Sequence, residues 1–95
     1  MSTFIMIGNY SLEAMKEISR GRTTKATKII QKCGGRILSG YATMGKTDLL
    51  VITEFPSVEE AMKASVNLTN AMGISFSTMP ALSLEAFDKL VGNKS

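Results

Sequence analysis

The sequence predicts an α+β domain of order β-α-β-β-α-β with a short helix appended, and three observations carry that prediction. Residues 36–44 and 48–55 are apolar runs rich in β-branched and aromatic side chains. They are joined by Gly45-Lys46-Thr47, the turn chemistry of a short hairpin loop. On either side of this hairpin apolar residues recur at helical spacing, and each such stretch is closed by glycine. Residues 3–10 and 74–82 are strand-length runs with the same bias.

Taken in order, residues 3–10 form the first strand, apolar at nearly every position up to Gly8. Ser11 is placed to cap a helix, with Glu13 suited to the positive end of its dipole. Leu12, Met15 and Ile18 recur at helical spacing before Arg20-Gly21-Arg22 interrupts the pattern. Gly21 either kinks one long helix or separates two short ones, and the sequence leaves both open. Ala26, Ile29, Ile30 and Cys33 resume an apolar stripe, with Lys25, Lys28 and Lys32 on the other side. Gly34-Gly35 then stops the helix, one of them in the left-handed conformation.

The hairpin comes next, and Pro56 blocks further strand. Ser57 and Glu60 have the spacing of a capping box, in which the glutamate reaches back to the cap's amide. The next helix runs to Met72, with Val58, Ala61, Met62, Ser65, Leu68 and Met72 assigned to one face, and Gly73 ends it. Pro80 places the fourth strand at a sheet edge. Ser83 caps the last helix, from which Phe87, Leu90 and Val91 are expected to dock back on the body. Residues 92–95 are expected to fray.

Two split β-α-β units of this size make a ferredoxin-like sandwich: four antiparallel strands with both main helices on one face. Right-handed crossovers place the first and third strands in the centre. Such a sheet ordinarily alternates apolar and polar. Here Phe4 and Met6 point one way and Ile5 and Ile7 the other. Leu50 and Ile52 lie opposite Leu49 and Val51, and Leu38 and Met44 opposite Ile37 and Tyr41. A sheet apolar on both faces needs a second cover, and the expected cover is another copy of the chain.

Ninety-five residues make one domain, 1–95, with a single modest core. A hydrophobic fraction of 44% is that of a folded chain. The apolar run at the N-terminus has no basic leader and is too short for a signal peptide or membrane span. A lone Cys33 makes no intrachain disulfide, so a cytoplasmic location is expected. The net charge of +3 is uneven: residues 1–47 hold eight Lys and Arg against two Glu, and residues 48–95 hold three Lys against six Asp and Glu. Arg20, Arg22, Lys25, Lys28, Lys32 and Arg36 carry most of the excess. They read either as a phosphate or nucleic-acid surface or, more simply, as a solvated helix face, since no aromatic residues are interleaved.

With no His in the chain, a Ser-His-Asp or Cys-His arrangement is excluded, as is any imidazole metal ligand. One Cys is too few for structural zinc, the carboxylates are too scattered for a hard cation, and no cofactor is expected. Cys33 continues the Ala26, Ile29, Ile30 stripe at the end of a helix that does not favour a thiolate, so it reads as core. The internal methionines likewise read as packing. One constellation remains, at the sheet edge where the first strand ends and the third begins: Asn9, Tyr10, Met44, Lys46 and Asp48. There Asp48 is a candidate general base, Tyr10 an acid or hydrogen-bond donor, and Lys46 an anion holder. The competing reading is a turn Asp that bonds local amides. Tyr41 and Arg36 are candidates to line an intersubunit cavity.

The chain resembles the GYD domain family, named for a Gly-Tyr-Asp motif at a hairpin turn. The resemblance runs from residues 3–11 through Gly34-Gly35-Arg36-Ile37 and the turn at residues 44–48 to Glu54, and into residues 75–78. It implies a ferredoxin-like protomer that pairs sheet to sheet as a dimeric α/β barrel, in a family whose function is not established. Gly45 and Asp48 match the motif, whereas Thr47 stands at the Tyr position. Three functions are expected candidates. One is a non-catalytic or ligand-binding homo-oligomeric module with a small apolar molecule between sheet and helices. Another is a cofactor-free monooxygenase- or isomerase-like enzyme, by analogy with other dimeric α/β barrels. The third is nucleic-acid or phosphate binding through the basic first helix.

Overall fold

The computed structural model describes residues 1–17 and 21–92. Strand β1 (Ser2–Tyr10) is succeeded by α1 (Leu12–Lys16), α2 (Gly21–Lys32), β2 (Arg36–Ala42), β3 (Leu49–Phe55), α3 (Val58–Met72), β4 (Ile74–Ala81) and α4 (Leu84–Val91). The strands form one antiparallel sheet in the order β2-β3-β1-β4. The first and third strands are therefore central, and the Pro80-bearing strand lies at an edge. This is an α+β sheet-and-helix architecture compatible with the ferredoxin-like fold.

Period-two alternation places Phe4, Met6 and Gly8 of β1, Val51, Thr53 and Phe55 of β3, and Ile74 of β4 on the helix side, all buried. Phe4 and Phe55 meet edge to face at 5.9 Å between ring centroids. Ile30 and Cys33 of the first helical region and Ala61, Ala64, Leu68 and Met72 of α3 close this core. The one buried hydroxyl among the described residues, on Thr53, donates to the carbonyl of Phe4 at 3.2 Å, so it costs the core little.

The helix ends obey the local sequence chemistry. The Ser11 hydroxyl accepts from the Ala14 amide and that of Ser83 from Ala86, each at 3.0 Å. Gly34 and Gly73 take positive φ, 79° and 69°, where the chain leaves a helix. At Gly73 the turn is also crowded: the Ser11 amide donates to its carbonyl at 2.8 Å, and a Cβ there would stand 2.8 Å from the Ser11 oxygen. α1 ends at Lys16 with Glu17 as its C-cap, so it is a separate helix from α2. Ile18 of the expected helical stripe and Arg20 of the basic cluster lie outside the described residues, as do residues 93–95.

Several expectations are corrected. A β-bulge between Ile37 and Ser39 shifts the register of β2, so Ile37 pairs with Thr53 while Tyr41 pairs with Leu50. Because one extra residue reverses the parity of the remainder of the strand, Ile37 and Tyr41 do not share a face. Met44 lies beyond the strand in the loop, 99% exposed. Met15, Met62 and Met79 are also exposed, leaving Met6 and Met72 as the packing methionines. The buried face of α3 is rotated toward Ala64, leaving Val58 and Met62 outside. Ser57 makes no side-chain bond to the helix amides; its hydroxyl donates to the Glu60 carboxylate instead. Finally, α4 does not dock on its own body: Phe87, Leu90 and Val91 are 49%, 71% and 58% exposed.

The second face of the sheet is as expected. Ile5, Ile7, Leu50 and Ile52 point away from the helices, with Met79 opposite Ile5 and Tyr41 opposite Leu50. At one corner Arg36 and Glu54 pair at 2.7 Å.

Candidate functional site

The alternation that fills the core beneath α3 runs out beneath α2. On β2 the bulge turns Gly40 and Ala42 toward the helix side, opposite Val51 and Leu49, and the facing position on α2 is Ala26. Three small residues in opposition leave the space between helix and sheet unfilled. A cavity of about 540 Å³ results, within the roughly 300–1,000 Å³ range of small-molecule sites. Ile37, Leu49, Val51, Met72 and Ile74 supply its apolar walls, Thr23 and Thr27 of α2 its hydroxyl groups, and Tyr10, Tyr41 and Arg22 complete its lining.

Arg22 sits where α2 meets the end of α3. Its Nη2 donates to the carbonyl of Met72 at 2.7 Å, which satisfies one of the acceptors that a helix C-terminus leaves over. Its guanidinium carbon lies 5.9 Å from the centroid of the Tyr10 ring, within cation–π range. The Nε of Arg22 is shielded from solvent and has no hydrogen-bond partner among the described residues. Nor does any carboxylate of those residues come within 4.0 Å of the guanidinium, since the one ion pair among them is Arg36–Glu54.

The sheet-edge constellation is assembled differently from the cavity. Asp48 lies close to Tyr10, but its carboxylate accepts from the Tyr10 backbone amide at 3.0 Å while its own amide donates to Gly8 at 2.9 Å. Asp48 thereby ties the hairpin loop to the end of β1. The loop is closed by Thr43, whose amide donates to the Asp48 carbonyl and whose hydroxyl donates to the Thr47 carbonyl, at 2.9 and 2.8 Å. Tyr10 and Tyr41 border the cavity; Asn9, Met44, Lys46 and Asp48 do not. Asn9, Met44 and Lys46 are exposed. Arg36 is engaged with Glu54 rather than with the cavity.

Among the described residues no carboxylate, thiol or amine lines the cavity; Tyr10, Thr23, Thr27 and Arg22 are its polar residues on the helix side, while Tyr41 shares the outward face with Leu50. Among the same residues no cluster of three metal-ligating side chains occurs. No described helix is long and apolar enough to cross a membrane. Sequence reasoning placed Arg22 in a basic surface cluster and missed Thr23 and Ala26 as site residues. The available signal was the coincidence of small residues at 26, 40 and 42, legible only with the bulge known.

An α+β protein with a four-stranded antiparallel sheet, compatible with the ferredoxin-like fold, and an apolar cavity beneath one helix is the class that fold and site define. The GYD domain family matches residues 4–91, nearly the whole chain, and the chain belongs to that family. No curated protein matches it.

Proposed function

We propose that the chain is a homodimeric ligand-binding module: two protomers stacked sheet to sheet as a dimeric α/β barrel, each holding a small, mainly apolar molecule between α2 and the sheet. The cavity of about 540 Å³ walled by Ile37, Leu49, Val51 and Met72 carries the ligand-binding part of this reading. Support for the dimer comes from the half-buried row Ile5, Ile7, Leu50 and Ile52 on the face away from the helices, an apolar centre flanked by the Arg36–Glu54 pair, as interfaces are built.

Size bears on how two copies meet. Four strands about 4.8 Å apart and about seven residues long present roughly 450 Å² of projected face. A stable interface needs about 800 Å² from each partner. The stripe Leu84, Phe87, Leu90 and Val91 on α4, unpacked against its own body, is the apolar surface available to make up the difference.

The cofactor-free enzyme is the weaker reading, because the candidate base Asp48 is engaged with a backbone amide and stands outside the cavity. Nucleic-acid binding is weaker again, since Arg22 turns inward to Met72.

Two measurements test the proposal. Native mass across a dilution series is expected to show a dimer that persists to low concentration, and Ile52→Glu is expected to leave a monomer. A wild-type monomer would sink the barrel. The neutral fluorophore N-phenyl-1-naphthylamine is expected to bind once per protomer, and Ala26→Trp, which fills the cavity, to abolish that binding. Binding that survives Ala26→Trp would place the probe elsewhere and overturn the ligand-binding reading.

A further inference from the structure

We infer that the cavity is built for an organic anion: a molecule with an apolar, ring-sized body and one carboxylate or sulfonate-like group, which Arg22 receives. The inference rests on the ligand-binding reading and adds the chemical class of what is bound.

A guanidinium beside an apolar cavity is costly unless its charge is answered. Arg36, the other arginine among the described residues, has its carboxylate, Glu54, at 2.7 Å. Arg22 has a carbonyl oxygen on Nη2 and an aromatic face at 5.9 Å, neither of which carries a charge. Its Nε–H has nothing to donate to among the described residues although solvent does not reach it. A buried donor left without an acceptor calls for explanation, and a ligand oxygen supplies one. Arginine also suits the task by chemistry, since its planar fork matches a carboxylate and its charge is permanent. The contact with Met72 anchors the side chain at the end of α3, and receiving an anion through Nε–H requires the planar guanidinium to turn toward the cavity as one rigid unit.

The rest of the lining agrees. The walls are hydrocarbon, the Thr23 hydroxyl lies on the same helix as Arg22, and no carboxylate of the described residues lines the cavity to repel an anion. A cationic ligand would meet Arg22 with like charge, and a neutral hydrocarbon would leave Nε–H unanswered.

The test compares two probes of one shape. 1-Anilinonaphthalene-8-sulfonate is N-phenyl-1-naphthylamine with an anionic group added. The anion is expected to bind about ten- to hundredfold more tightly, the value of one charge-assisted hydrogen bond. Arg22→Gln is expected to remove that advantage, bringing the affinities of the two probes to within about twofold of each other. In the wild-type protein, the Arg22 Nε–H resonance is expected to move on adding the sulfonate and to stay in place with the neutral probe. That readout needs no variant, so it stands even if Arg22→Gln folds poorly. Equal affinities for the two probes would overturn the anion inference and leave the cavity reading intact. So would a preference for the sulfonate that persists in Arg22→Gln, or an unmoved Nε–H resonance. Failure of both probes to bind would overturn both readings.

Discussion

The guanidinium of Arg22 and the carbonyl of Met72, fifty positions apart in the chain, meet at 2.7 Å and join the start of α2 to the end of α3. The bond closes one end of the cavity and satisfies an acceptor at a helix terminus. Replacing Arg22 by Ala removes the donor and leaves that carbonyl dependent on water. A loss of about 1–3 kcal/mol is expected in denaturant unfolding, the cost of an unsatisfied partly buried group.

Asp48 holds the end of β1 through the Tyr10 amide. Asp48→Ala is therefore expected to cost about 1–3 kcal/mol of stability and to raise the exchange rate of the Tyr10 amide. Affinity of the cavity for N-phenyl-1-naphthylamine should change little, since Asp48 is not in its lining. A loss of probe binding at unchanged stability would argue that Asp48 acts at the site itself.

Gly73 turns the chain from α3 into β4 at φ 69°, against the Ser11 cap of α1. Gly73→Ala combines a left-handed residue with a Cβ 2.8 Å from the Ser11 oxygen. A destabilisation of about 1–3 kcal/mol is expected. Loss of protection at the Ala14 amide, which Ser11 caps, would distinguish the clash from a purely local strain.

A hydrogen bond from its own backbone amide holds the Glu59 carboxyl below the usual carboxylate range. Because the folded value is depressed, the associated stability is present above the unfolded pKa and is lost as pH falls through the folded one. A side-chain NMR titration should place Glu59 below an ordinary glutamate.

The order of elements, the strand order and most helix ends were legible in the sequence. Each depends on local chemistry: serine caps at 11 and 83, glycines at 34 and 73, a proline at 80, and strands whose alternation is short-range. The two apolar faces of β1 and β3 were legible for the same reason. What escaped depends on geometry that no local pattern encodes. The bulge in β2 put Ile37 and Tyr41 on opposite faces and created the opposition of Gly40, Ala42 and Ala26. The helical wheel of α3 could not show whether Ala64 or Met62 faces the sheet, because both phases offer an apolar stripe. Asp48 and Tyr10 were correctly brought to one corner. That their contact runs through a backbone amide is a matter of side-chain direction, which spacing alone does not fix.

The bulge at residues 37–39 also governs how the sheet meets other sheets. An edge strand with a regular row of free amides and carbonyls is a template for further strands, and both edges here are blunted. On β2 the extra residue breaks the repeat, and on β4 Pro80 has no amide to offer. Growth of the sheet sideways into a continuous ribbon is thereby discouraged, while its broad apolar face stays available. A chain with such edges resists strand-by-strand growth into fibres.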